Sequence, residues 1–407
     1  MKKVILMLAV VLIGTGCWAQ KSNVSKAKNK IYAETPDFDG AREAIKLALE
    51  DESTKDQTNT WYVAGLIGNK EVEYQLGQQM FGNSDPLKSG AAALESCKYW
   101  LKADELALVP NEKGKIDSKT HKTIQQKILS YYTQQDLVRY GILMNEQKDY
   151  QTAYEALKMH VDIPNLPMMD DEKLQQKMPR DTTYNQCRFF AAVCALQAGL
   201  HQDAIAILED MRNVPEEAVR VNMTLADEYL AVKDSAKYLA VLKESSQQMP
   251  NEAYFLQTLI NYYINTNQTE TAIASLDEAI RRQPNEAQYY RIKGALNEKL
   301  GKFDEGIENF NQAIAKDAND AESYAGLGYI KVAKASKILD DAAYLDDKEY
   351  AAQKKVADEI FQEAIPAFKK AHELKPEERQ FMLMLKQLYY RMKMEKEYEE
   401  IEAELNK

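Results

Sequence analysis

The stretch that decides the fold runs from Ala287 to Asp320 and reads AQYYRIKGALNEKLGKFDEGIENFNQAIAKDAND. Apolar residues recur three or four positions apart in both halves, which is the spacing of an amphipathic helix. Gly301 interrupts the pattern between the halves, and glycine is common where a helix ends. The stretch therefore predicts two helices joined by a tight turn, with Tyr290 and Gly294 on the first helix and Phe310 on the second.

The same arrangement recurs along the chain. Residues 253–286 repeat it closely, residues 184–217 and 219–250 more loosely, and residues 134–164 in a shorter form. Small residues recur where two antiparallel helices must approach each other, although Tyr238 replaces one of them. Self-similarity at a fixed period is the signature of a repeat protein, in which each unit buries its apolar face against its neighbours.

This pattern resembles the tetratricopeptide repeat, which has a bulky residue early in the first helix, small residues where the helices cross, and an aromatic residue in the second helix. The residues that carry the resemblance are Tyr290, Gly294, Gly306, Phe310 and Ala313, whereas Ala318 stands where the family usually has proline. The resemblance implies an all-α fold, a right-handed superhelical solenoid of antiparallel helix pairs.

The pattern also predicts how the chain is organised. The predicted segments are a signal peptide (1–19), N-terminal degenerate helical repeats (20–133), a repeat with a Pro/Met-rich loop (134–183), a tandem array (184–320), a repeat with a long helical insertion (321–376) and capping helices (377–407). Residues 162–183 either contact a partner or cover the seam between repeats. In the last repeat the first helix is expected to run on into residues 334–355, and the second to begin at Phe361.

The first residues indicate export. Lys2 and Lys3 precede an apolar run that is too short to span a membrane, and small residues lead to a cleavage point after Ala19. The protein is therefore expected to be periplasmic or secreted in a Gram-negative bacterium. Cys17 leaves a second route open, because a lipid on this residue would make the protein an outer-membrane lipoprotein.

Composition and motifs argue against several classes of function. The net charge of −11 disfavours nucleic acid as a partner. No nucleotide-binding or hydrolase motif occurs, and the four histidines lack metal-ligand spacing, so we expect neither catalysis, nor a cofactor, nor a metal. Cys97, Cys187 and Cys194 are an odd set in the mature chain and are expected to be small core residues rather than disulfides.

In the tetratricopeptide family the first helix of each unit lines a concave groove. Carrying the family's groove positions onto this sequence predicts a mixed polar surface that suits an extended or helical peptide. Asn261 fits the family's carboxylate clamp, but Gln257 and Gln288 replace its cations, so recognition of chaperone tails is not expected. The predicted groove residues are Arg220, Asp227, Tyr254, Gln257, Asn261, Gln288, Arg291, Glu298 and Tyr329.

The sequence thus favours a non-catalytic scaffold of the cell envelope that binds a protein or peptide in this groove. One alternative is an accessory protein of a surface nutrient system that binds a glycan or another small ligand. Another is an enzyme that uses the inserted loop at 162–183. The sequence leaves the partner and the oligomeric state open.

Overall fold

The structure, a computed structural model, describes residues 22–406. The predicted signal peptide and Cys17 lie outside this range. Every regular element between these limits is a helix, and no residue among them is in a β-strand. The predicted all-helical fold is therefore confirmed, and consecutive helices joined by short turns pack as antiparallel neighbours.

The chain divides into two compact units, with the boundary between Asp234 and Ser235. The helices of the first unit are α1 (22–31), α2 (Phe38–Glu50), α3 (Thr58–Gln79), α4 (Pro86–Ala107), α5 (Ser118–Thr133), α6 (Asp136–Glu146), α7 (Tyr150–Asp162), α8 (Glu172–Gln175), α9 (Thr182–Gln197), α10 (His201–Met211) and α11 (Ala218–Ala231). Two short 3₁₀ turns, Ile163–Asn165 and Pro167–Met169, follow α7.

The second unit contains the most regular pairs. Its helices are α12 (Ser235–Gln248), α13 (Ala253–Asn265), α14 (Thr269–Arg282), α15 (Ala287–Lys299), α16 (Phe303–Lys316), α17 (Ala321–Ala342), α18 (Asp347–Leu374), α19 (Arg379–Arg391) and α20 (Glu395–Leu405). We call α13, α15, α17 and α19 the first helices, because each is followed by a partner with which it packs as a pair.

Left-handed residues recur at a constant spacing in the turns between helices. Gly199, Lys233, Asn267 and Gly301 all have φ between 56° and 75°, and each lies 34 residues after the one before it. Asn267 therefore occupies the position that glycine takes at 301, as expected of a residue that tolerates this conformation. The backbone thus repeats with a constant period through the central part of the chain.

Small residues lie where helices cross, as the pattern predicted. A Cβ atom on Gly294 would lie 3.0 Å from the ring of Phe310, so the glycine of the first helix makes room for the aromatic residue of the second. In the first unit, a Cβ on Gly65 of α3 would lie 2.3 Å from the buried ring of Trp100 of α4. Because interiors are close-packed, the small residues set how near the helices approach.

The Pro/Met-rich segment at 162–183 is ordered and buried. The methionines Met168, Met169 and Met178 are at most 8% exposed and belong to the main core of the first unit. The Gln125 side chain of α5 donates a hydrogen bond to the carbonyl of Met168 at 2.5 Å. The segment therefore covers a seam, the second of the two roles predicted for it, and it does not present its methionines to a partner.

The insertion at 334–355 is a helical hairpin. α17 runs on to Ala342 as expected, but α18 begins at Asp347 rather than at Phe361. Asp346 caps α18 by accepting hydrogen bonds from the backbone of Lys348 and Glu349. Residues 347–360 are rich in alanine, lysine and glutamate, which favour helix, and Ala357 packs in the same core cluster as Ala335 of α17.

Candidate functional site

Three side-chain contacts bring the first helices of the second unit together along one surface. Gln257 of α13 donates to the Tyr289 hydroxyl of α15 at 3.1 Å. Arg291 of α15 forms an ion pair with Asp320, the N-cap of α17, at 3.2 Å between Nε and Oδ2. Tyr329 of α17 packs against a core cluster that includes Phe381 of α19. We call the surface that these residues share the first-helix face.

The predicted residues of the second unit all reach the surface. Gln257, Asn261 and Gln288 are exposed, and the other four are partly buried: Tyr254, Arg291, Glu298 and Tyr329. Asn261 and Gln288 form no hydrogen bond with another described residue, so their amide groups are available to a ligand. An amide side chain offers both donors and an acceptor, as a peptide backbone does.

The other two predicted residues, Arg220 and Asp227, lie on α11 in the first unit and are exposed. The guanidinium of Arg220 is already engaged, because it binds Glu217 and stacks over the ring of Phe189 at 4.2 Å from its centroid. Arg220 is therefore held by its own unit, whereas Asp227 is simply solvated.

The first-helix face carries little free charge. The ion pair with Asp320 offsets the charge of Arg291. Burial raises the pKa of Glu298, because removal of water disfavours its charged form. What remains accessible is mainly amide and aromatic, including Tyr254 and Tyr329, whose ring packs edge-on against Phe368 at 4.9 Å. Such a surface favours an uncharged, hydrogen-bonding ligand.

The contribution of α19 was not predicted from the sequence. Residues 377–407 were assigned to a cap, and the predicted groove positions extended no further than Tyr329. The same positions counted from Arg379 give Gln380, Leu383, Gln387 and Tyr390, and all four are exposed, with Tyr390 at 77%. The repeat register itself was the signal that could have found them.

The first unit has no equivalent open surface on α3. Helix α5 lies against it: the Tyr131 hydroxyl donates to Asn69 of α3 at 3.2 Å, and the Tyr131 ring stacks on Trp100 at 6.3 Å. Leu66 and Asn69, which occupy groove positions on α3, are buried. The chain therefore fills this part of its own groove.

A second concavity lies in the first unit, between α2, α3 and α4. It has a volume of about 760 Å³, and its lining contains tyrosines as well as charged residues. Arg42 lies in its wall between Glu71 and Glu95.

Neither membrane spans nor metal clusters are found within residues 22–406. No helix in this range combines the length and the apolar character that crossing a membrane requires. No group of three or more histidine, cysteine, aspartate or glutamate residues in the same range is arranged to hold a metal ion. Cys97, Cys187 and Cys194 are buried free thiols, and burial raises the pKa of each.

These features define an all-helical repeat protein whose helix pairs recur every 34 residues. Residues 258–321 match the family model described as tetratricopeptide repeat, which has the same period. The matched segment contains most of α13 and all of α14 to α16, so this part of the chain consists of tetratricopeptide repeats.

The chain is also similar to several solved structures. A MamA protein is 18% identical with a TM-score of 0.37, and the match covers 47% of this chain and 91% of that one. A TPR repeats protein from Bacteroides fragilis is 17% identical with a TM-score of 0.33, covering 63% and 98%. YrrB, a TPR protein with an unusual peptide-binding site, is 14% identical with a TM-score of 0.31, covering 48% and 89%. No curated protein matches the chain.

Proposed function

We propose that the protein is a scaffold that binds an extended segment of a partner protein along its first-helix face. The observation that carries the proposal is the set of accessible amide side chains on three of the four first helices, α13, α15 and α19: Gln257, Asn261, Gln288 and Gln387. Amides pair with backbone N–H and C=O groups whatever the side chains of the ligand are. Tyr254 and Tyr390 supply aromatic contact beside them.

The charge distribution supports a ligand that is bound mainly through its backbone. Arg291 and Glu298 are the two charged residues of α15 that were predicted to lie in this face. Arg291 is paired with Asp320, and burial disfavours the charged form of Glu298. A strongly charged peptide would therefore find no free counter-charge at Arg291 or Glu298. Peptides held in grooves commonly gain affinity from main-chain hydrogen bonds and specificity from a few side-chain pockets.

We place this binding in the bacterial cell envelope because residues 1–19 have the pattern of an export signal. The intact mass of the mature protein tests this part of the proposal. A mass that corresponds to a chain beginning at Gln20, or at a lipidated Cys17, supports envelope location. A mature chain that retains Met1 to Ala19 contradicts it.

The binding proposal is tested with a library of random dodecapeptides displayed on phage and selected on the purified protein. Affinities of selected peptides are then measured by fluorescence anisotropy. Each hydrogen bond contributes about 1 kcal/mol, so Asn261→Ala and Gln288→Ala should each weaken binding about fivefold. Asn311→Ala is the matched control, because Asn311 is an exposed amide on the second helix α16.

Two results would contradict the proposal. One is a set of selected peptides whose affinity is the same for the wild-type protein and the Asn261→Ala/Gln288→Ala variant. The other is equal weakening by Asn311→Ala, which would show that the effect does not depend on the first-helix face.

A further inference from the structure

The cavity between α2, α3 and α4 has the dimensions and the walls of a small-molecule site. Its volume of about 760 Å³ falls within the range of about 300–1,000 Å³ that such sites usually have. It lies entirely within the first unit and shares no residue with the first-helix face. No role described above accounts for it.

A rigid polar group forms one wall. Nη2 of Arg42 lies 2.5 Å from Glu71 and 2.6 Å from Glu95, and its Nε is within 3.1 Å of both oxygens of Glu95. These contacts join α2, α3 and α4. The paired carboxylates hold the planar guanidinium in one orientation, which is the geometry that suits arginine and not lysine.

This polar group still has unused hydrogen-bonding capacity. Nη1 of Arg42 forms no hydrogen bond with another described residue, and Oδ1 of Asp39 is 3.6 Å away from it. Oε1 of Glu71 likewise accepts no hydrogen bond from the described part of the chain. Both atoms belong to residues that line the cavity. The lining thus includes residues that keep one unused donor group and one unused acceptor atom.

Aromatic rings give another part of the cavity lining an apolar character. Tyr74 is 43% exposed and its ring lies 5.8 Å from that of Phe38, tilted by 59°. Tyr99 and Tyr140 line the same cavity. Tyr140 is fixed by Gly90, where a Cβ would lie 2.4 Å from its ring. Apolar C–H faces of a ligand can pack on such rings while its polar groups reach the guanidinium and carboxylates.

The charges around the cavity nearly cancel. Lys30 neutralises Asp37 at 2.5 Å, and Glu155 neutralises Lys98 at 2.5 Å. The remaining lining residues carry two positive charges, on Arg42 and Lys88, and three negative charges, on Asp39, Glu71 and Glu95. The two counts differ by one charge. Neither a strong anion nor a strong cation is favoured by such a lining.

We propose that this cavity binds a short neutral oligosaccharide. A sugar ring offers hydroxyl groups that both donate and accept, as Glu71 and Arg42 require, and C–H faces that pack on tyrosine. The proposal is independent of peptide binding on the first-helix face, because the two surfaces have no residue in common.

The test uses isothermal titration calorimetry of the purified protein with maltotriose, cellotriose, xylotriose and tri-N-acetylchitotriose. At least one should bind with a dissociation constant in the range of about 10 μM to 1 mM. Tyr74→Ala should weaken that binding about tenfold or more, since it removes an exposed aromatic wall. Arg42→Lys should weaken it as well, because a lysine cannot keep the Nη1 donors while it contacts both glutamates.

The controls separate this site from the rest of the protein. Tyr344→Ala removes a tyrosine that is 96% exposed on the hairpin tip and should leave sugar binding unchanged. The Asn261→Ala/Gln288→Ala variant should also bind the sugar normally, while Tyr74→Ala should bind selected peptides normally. Failure of one proposal is thereby distinguishable from failure of the other.

Three outcomes would overturn the proposal. The first is no heat of binding from any of the four sugars at about 10 mM. The second is sugar binding that survives Tyr74→Ala in a folded protein, as judged by an unchanged circular dichroism spectrum. The third is binding of trigalacturonic acid with none of the neutral sugars, which would assign the cavity to anions.

Discussion

Placing a methyl group on Gly68 should destabilise the first unit, although alanine is the better helix former. Gly68 lies within α3, and its added Cβ would lie 2.4 Å from the backbone carbonyl oxygen of Ala92 in α4. Carbon–oxygen contacts ordinarily stay at about 3.3 Å or more, so α4 would have to withdraw by about 0.9 Å. A backbone oxygen cannot rotate away as a side-chain end can, so the whole helix pair must shift.

The expected magnitude follows from two opposing effects. Overpacking of a tight interior costs about 3 kcal/mol at the upper end of its usual range. Replacing a helical glycine by alanine gains about 1 kcal/mol. Gly68→Ala should therefore lower the free energy of unfolding by about 2 kcal/mol. Nothing lies within 4 Å of a Cβ on Gly77 in the same helix, so Gly77→Ala should raise it by about 1 kcal/mol.

Urea unfolding followed by far-ultraviolet circular dichroism measures both variants against the wild type. The two glycines share one helix, so helix propensity is matched and only the neighbouring helix differs. Opposite signs are expected. Equal stabilisation by both substitutions would refute the reasoning, because it would show that α3 and α4 do not touch at Gly68.

Two further perturbations probe the core of the first unit. Burial lowers the pKa of His160 to about 4, below its value of about 6.5 in an unfolded chain, so stability should fall by about 2 kcal/mol from pH 7 to pH 5. His160→Phe, which keeps the ring stacked on Tyr132, should remove this loss when urea midpoints are compared at the two pH values. Met169→Ala should cost about 2–5 kcal/mol because Met169 is fully buried, whereas Met80→Ala should change stability by less than about 0.5 kcal/mol because Met80 is 88% exposed. Equal urea midpoints for these two variants would show that the segment after α7 is not part of the core.

The regular pairs could be predicted because each of their features is local in sequence. Gly301 and Asn267 predict the turns, and they adopt φ of 71° and 56°. Gly294 and Phe310 lie 16 residues apart, yet they meet because a short turn folds one helix back on the other. The spacing of small and bulky residues therefore predicts which residues are in contact. The same logic placed the exposed side chains of Gln257, Asn261 and Gln288.

The first unit was harder to predict because its decisive contacts are distant in sequence. Tyr131 meets Asn69 across 62 residues, and Gln125 meets Met168 across 43. No periodic pattern predicts such pairs. Methionine adds a further ambiguity, because its flexible side chain suits both a core gap and a binding surface. Here Met168, Met169 and Met178 belong to the core.

The cavity was missed for a related reason. Arg42, Glu71 and Glu95 are three ordinary charged residues on three helices, and charged residues on helices usually face solvent. Only the packing of α2, α3 and α4 brings the guanidinium between the two carboxylates. The spacing of these residues in the sequence does not predict their contact, whereas their burial and interatomic distances in the structure show it.

The residues at groove positions differ between the two units in a way that explains which surface stays open. On α3, position 5 is Tyr62, whose ring stacks on Trp100 at 6.4 Å, and position 9 is Leu66, which is 8% exposed. On α13 the same positions are Gln257 and Asn261, both exposed. An apolar residue at position 9 gains free energy only if something covers it, and Leu66 packs in a core cluster with residues of α1 and α2. An amide at position 9 would lose its hydrogen bonds under such a cover, so it favours a surface that meets either water or a polar ligand. The residue type at this one position thus distinguishes a groove filled by its own chain from a groove left for a partner.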